Sequence, residues 1–151
     1  MVDYKVCSIV GDNDVYPDDK MCREVNLLLN KLINEKHFNV FYITPIGPFE
    51  WMVRKLLHDL KKNRYPFIVT YLLEPYDEFR PIGTGVGRLA YDTEELIRVK
   101  DPHPFRRPDE IQCKCTAIDN SEYVIFGLGN KELKEKYIEY ATKLNKKYSL
   151  F

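Results

Sequence analysis

The sequence predicts a single-domain α/β protein with a mainly parallel sheet of about five strands. Three observations carry that prediction. Short apolar, β-branched runs alternate with longer segments of helical period. The first three runs are separated by two helices, a βαβαβ arrangement that forces parallel pairing and right-handed crossovers. Several strands end in polar or glycine-containing turns that lead into a helix. At 151 residues the chain is long enough to bury about two-thirds of the surface its unfolded form exposes.

Tyr4 to Val10 alternates, turns apolar and breaks at Gly11-Asp12-Asn13-Asp14, as a buried parallel strand does before a turn. After Pro17, Asp18 or Asp19 can cap a helix. Met21, Val25, Leu28, Leu29, Leu32 and Ile33 then recur at steps of three and four, predicting an amphipathic helix to about His37. Phe38 to Ile43 is the second strand. The turn Thr44-Pro45-Ile46-Gly47-Pro48 leads into a helix from about Phe49 to Asn63, which ends on Lys61, Lys62 and Arg64, cations suited to the negative end of its dipole. Phe67 to Leu73 is a third strand, continuously apolar.

From about residue 74 to 108 the pattern loosens into a long irregular connection, with five prolines and the run Gly83-Thr84-Gly85-Val86-Gly87. A short strand or helical turn fits Glu94 to Val99. Loops of this length in compact domains commonly carry function, here as a lid. Gly83 to Gly87 neither follows a clear strand nor opens a clear helix, so a flexible loop is expected there and not a dinucleotide fingerprint. A helix over Asp109 to Asn120 follows, then the strand Tyr123 to Phe126, the turn Gly127-Leu128-Gly129-Asn130 and a helix from Lys131 to Asn145 capped by Asn130. Lys147 to Phe151 fits a final strand.

Lysine plus arginine equal aspartate plus glutamate at 23 each, so no global field favours nucleic acid or an anionic bilayer. No apolar run approaches the roughly 20 residues of a membrane span, and no secretory leader pattern precedes the first strand. A cytoplasmic location is expected, without nucleic-acid or membrane partners. Cys7, Cys22, Cys113 and Cys115 lack zinc-site spacing and read as reduced, mostly buried thiols. His37, His58 and His103 share no ligand spacing, so neither a metal nor a cofactor is expected.

Ligands of parallel α/β sheets bind beyond the carboxyl ends of the strands, where the strand order reverses. That rule makes Gly11, Asp12, Asn13, Thr44, Pro45, Gly47, Pro48, Phe49, Glu50, Gly127, Gly129 and Asn130 the candidate ligand-binding residues. Asp12, Asn13 and Glu50 suit ribose hydroxyls or a base amino group, while the glycines alone require no more than tight turns. Glu132 and Glu135 have the chemistry of general acids or bases, but on a lysine-rich helix they read as solvated surface charges. Arg80, Arg88, Arg106 and Arg107 have the chemistry of a phosphate clamp, with solvated loop charge as the plainer reading. Phe49, Trp51 and Phe79 suit either base stacking or the core.

Several of these stretches resemble the YpsA-like branch of the SLOG superfamily, Rossmann-like proteins related to LOG-type nucleotide-processing enzymes and to the DprA fold. That branch has a glycine-rich turn before Gly-Phe-Asp, then Tyr-Pro, an apolar strand and Pro-Tyr. The chain has Gly47-Pro48-Phe49-Glu50, Tyr65-Pro66, Phe67 to Leu73 and Glu74-Pro75-Tyr76. Ala117-Ile118-Asp119-Asn120-Ser121-Glu122 before a strand and Glu139-Tyr140-Ala141 in the last helix are also similar. The resemblance implies a three-layer Rossmann-like sandwich and a nucleotide-derived ligand. Two departures matter. Val10-Gly11-Asp12-Asn13 stands where the family has Thr-Gly-His-Arg, and Pro45 and Pro48 each remove a backbone donor from the phosphate turn.

The expectation is therefore a sensor or binding protein for a nucleotide or nucleotide-derived small molecule. The alternatives are a LOG-type nucleotide N-glycosidase (phosphoribohydrolase) and a non-catalytic interaction protein with a vestigial pocket. For an oligomer, the default expectation is a symmetric homodimer.

Overall fold

Val6–Gly11 forms the first strand, β1, and all but its first residue are buried, as a strand covered on both faces requires. The computed structural model describes residues 3–44, 47–75, 91–99 and 110–151. Of the connection read as a lid, residues 76–90 and 100–108 lie outside them, as do the glycine run at 83–87, Pro45, Phe79, Arg80, Arg88, His103, Arg106 and Arg107.

Helix α1 (Asp19–Asn34) starts where Asp18 accepts a hydrogen bond from the Met21 amide at 2.8 Å, and it buries Val25, Leu29, Leu32 and Ile33. It ends before His37, because the chain turns there through a positive φ of 64° at His37 and re-enters the sheet. Strand β2 (Val40–Ile43) and helix α2 (Pro48–Asn63) follow. Pro48 occupies the first helical turn, where its missing N–H costs nothing, and Gly47 precedes it at φ 135°. Strands β3 (Val69–Pro75) and β4 (Glu94–Val99), helix α3 (Glu110–Asp119), strand β5 (Tyr123–Gly127), helix α4 (Lys131–Lys143) and strand β6 (Lys147–Leu150) complete the described chain.

The strands lie in the order β4-β3-β2-β1-β5-β6, and every pairing is parallel. Among the described residues the sheet therefore has six strands instead of about five, and it is wholly parallel. The additional strand is Glu94–Val99, the stretch whose sequence fitted either a strand or a turn. Pairing decides the matter: Glu94 to Val99 run in register with Thr70 to Pro75. Burial follows the same alternation, since Leu96 packs toward the main core while Ile97 and Val99 pack on the opposite face.

Helices α1 and α2 cover one face through Cys7, Ile9, Phe41, Ile43, Leu72 and Ile125. Helices α3 and α4 cover the other through Val10, Val124 and Phe126, with Leu73 and Val99 further along. The result is a Rossmann-like three-layer sandwich. The chain moves outward from β1 through β2, β3 and β4, then returns to β5 on the other flank of β1. The order thus reverses between β1 and β5, with Gly11 and Gly127 paired at their carboxyl ends.

Candidate functional site

At the carboxyl ends of β1 and β5 the first side chain to leave the sheet is Asp12, which is buried. Its carboxylate accepts hydrogen bonds from the Gly129 amide (2.9 Å), the Asn130 amide (2.8 Å) and the Asp14 amide (2.8 Å). Gly129 and Asn130 immediately precede α4. Their amides and the positive end of the helix dipole are the groups that would otherwise hold a ligand phosphate. Here an internal carboxylate takes that position. Asn130 turns its side chain inward as the cap and accepts from the Leu133 amide at 3.1 Å.

The glycines have a packing reason as well. A Cβ on Gly127 would sit 2.2 Å from Phe49 Cδ1, and one on Gly11 would sit 2.3 Å from Glu50 Oε1 and 2.9 Å from Phe49 Cβ. The first turn of α2 therefore lies directly on the paired strand ends, and a side chain there would displace it. Phe49 is fully buried in the core, with its ring 6.5 Å from that of Phe151, so it is not placed to stack on a base. On Gly129 a Cβ would meet the Asp14 carbonyl oxygen at 2.4 Å.

Glu50 is the acid of this turn, and it is fully buried. Its Oε1 lies 3.9 Å from Nζ of Lys114, which is 4% exposed and also donates to the Gly11 carbonyl. Glu50 comes from α2 on one face of the sheet and Lys114 from α3 on the other. They meet above the point where the strand order reverses. Charges removed from water this far are costly unless matched, so a carboxylate and an ammonium facing each other here hold each other in place. Together they place a buried acceptor and a buried donor at the carboxyl edge of the sheet. Thr44, also buried at this edge, has a hydroxyl with no hydrogen-bond partner among the described residues.

The other sequence candidates separate. Asn13 is exposed and Pro48 half-buried, while Glu132 and Glu135 lie on the solvent side of α4. Trp51 is half-exposed and stacks on Tyr91 with ring centroids 5.8 Å apart, beside the Arg54 guanidinium. His58 stacks on the same tyrosine at 4.3 Å, and its Nδ1 lies 2.7 Å from the Thr93 hydroxyl. Among the described residues no group of three metal-ligating side chains converges, and no helix is long and apolar enough to cross a membrane.

Two functional-looking groups escape sequence reasoning. Lys114 carried one signal, as the lone charge between Ile111 and Ile118 on a predicted helix. Arg54 and Glu94 carried none, being 40 residues apart; they form a bidentate pair at 2.8 and 2.9 Å with side chains 1% exposed. Fold and edge together define a Rossmann-like α/β protein with a buried carboxylate–ammonium pair at its switch point. No protein-family model and no curated protein matches the chain.

Proposed function

We propose that the protein binds a nucleotide or nucleotide-derived small molecule at the carboxyl edge of β1 and β5, as a divergent relative of the YpsA-like branch of the SLOG superfamily. The observation that supports this reading is the Glu50–Lys114 pair, one charge from each helical layer, held over the reversal of strand order. With Asp12 on the amides ahead of α4, a ligand phosphate has no backbone cradle there. Recognition then falls to side chains: the Glu50 carboxylate accepting from ribose hydroxyls or a base amino group, and the Lys114 ammonium donating to a carbonyl or phosphate oxygen. Such a site favours binding over fast turnover.

Native mass spectrometry of the purified protein should reveal a retained nucleotide derivative. A thermal-shift panel of nucleotides should then give a stabilisation that is lost in Glu50→Gln and in Lys114→Met. A shift that survives both substitutions sinks this site, and no shift with any nucleotide leaves the interaction-protein reading.

The same buried carboxylate favours one second reading, N-glycosidic hydrolysis of a nucleotide. There Glu50 would take one proton of the attacking water as its oxygen bonds to C1′ of the sugar and the bond from base to sugar breaks, and would pass that proton to the departing base nitrogen, so that the free base and a sugar phosphate leave. A coupled assay for released base should then show turnover that Glu50→Gln abolishes and Glu132→Gln leaves intact. Equal rates in the wild type and Glu50→Gln exclude it.

A further inference from the structure

A cavity lies at the opposite, amino edge of the sheet, under the starts of four strands. Its volume is about 490 Å³, within the usual range for small-molecule sites. Five lysines line it: Lys5 ahead of β1, Lys31 and Lys36 at the end of α1, and Lys146 and Lys147 where α4 gives way to β6. One acid, Glu122, shares the lining. The chain as a whole has no net charge, so this is a local excess and not a reflection of composition.

None of the five forms an ion pair among the described residues. The lysine ion pairs among the described residues belong to Lys62, Lys114 and Lys143. Lys5 and Lys146 donate instead to backbone carbonyls, Lys5 to Lys36 at 2.8 Å and Lys146 to Asp119 at 3.3 Å. The carboxyl ends of α1 and α4 also point to this edge, and their partial negative charge accounts for some of the attraction of lysine to it. It does not account for five. Like charges brought around one hollow repel, and an anion between them would relieve that repulsion.

The floor of the cavity is apolar. Leu28 and Leu32 come from one face of α1, Phe38 and Tyr123 meet edge to face with centroids 6.0 Å apart, and Leu144 closes the side. Lys5 sits 4.6 Å above the Phe38 ring, joining the charged rim to the apolar floor. Inorganic phosphate would satisfy the rim alone and leave the floor wetted. We propose that this cavity binds a small amphipathic anion, an organic acid or phosphate ester whose apolar arm lies on Phe38, Tyr123 and the α1 leucines and whose head group faces the lysines. The site is separate from the carboxyl edge and does not rest on the function proposed there.

Octanoate, octyl phosphate, octylamine and inorganic phosphate test this with the intact protein, by calorimetry and by amide shift mapping. Octanoate or octyl phosphate should bind saturably, perturb Phe38, Tyr123 and Leu144, and weaken with added salt. The double variant Lys31→Glu/Lys147→Glu changes two exposed lysines and should keep the fold, checked by circular dichroism. Its affinity should fall at least tenfold. The relative strength of the two octyl anions tells carboxylate from phosphate ester. Octylamine binding as well as octanoate, inorganic phosphate matching octyl phosphate, unchanged affinity in the double variant, or no binding at millimolar concentration would each overturn the proposal.

Discussion

Asp12 carries a role that its residue type only half announces. As an acid after a strand it was a natural candidate to touch a ribose; in the fold it closes the start of α4 instead, with three backbone amides on one carboxylate. Hydrogen bonds to a charged group are among the stronger ones, and their loss leaves buried donors without partners. Asp12→Ala should lower stability by about 1.5–3 kcal/mol in urea titrations. Phosphate or sulfate in the buffer should restore part of it, by filling the vacated amides. Gly127 makes a similar point in steric terms. Gly127→Ala forces a methyl into the Phe49 ring, an overpacking that should cost about 1–3 kcal/mol. Combining it with Phe49→Leu should cost less than the sum of the two single changes, because the neighbours are coupled. The need for a small residue after a strand was legible in the sequence. Its cause, a neighbouring helix and not a ligand, was not.

Among the elements, α2 and β4 depend on each other. Strand β4 is at the edge of the sheet, with β3 on one side, and it opens on two glutamates. The bidentate Arg54–Glu94 pair fastens its first residue to α2, and the Tyr91 amide adds a 2.7 Å hydrogen bond to the same carboxylate. Breaking such a buried pair from one side leaves a charge stranded, so Arg54→Met should destabilise by about 3–5 kcal/mol. Arg54→Met with Glu94→Leu should recover much of that loss, as thermal melts of the three variants would show. Local pattern identified α1, α2, β3 and α4 to within a few residues, because each has a strong period and a recognisable cap or flanking proline. It left Glu94–Val99 undecided. A short stretch with charges at both ends becomes a strand only when it meets a partner in register, and that partner is 24 residues earlier at Glu74 for Arg98, where the side chains also pair at 3.2 Å.

For the whole molecule, the buried sheet makes alkali the direction of weakness. Burial pushes the Cys7 thiol well above its usual 9.0, and burial followed by the hydrogen bond to Asp119 pushes up the Tyr140 hydroxyl. Below pH 9 the folded and unfolded chains both keep the Cys7 proton. Above it the unfolded chain releases the proton while the folded chain holds it, so stability falls as pH rises. Urea midpoints measured from pH 7 to 11 should decline, and Cys7→Ala should flatten the decline. The two edges of the sheet also divide the chemistry. The carboxyl edge holds a matched acid and base at the reversal of strand order; the amino edge gathers five lysines that form no ion pair among the described residues, over an apolar floor.

Periodicity, caps and turn residues were enough to determine the alternation of strands and helices and the parallel pairing of the first three strands. These are properties of neighbours along the chain. The partners of Glu50, Asp12 and Arg54 were decided only in three dimensions, because hydrogen bonds and ion pairs join residues brought together by strand order, and strand order leaves no mark on local sequence. Lys114 reaches Gly11 across 103 positions, and the five lysines of the amino edge come from opposite ends of the chain. Their convergence depends on β5 and β6 returning to the far flank of β1, a choice made by the packing of whole layers.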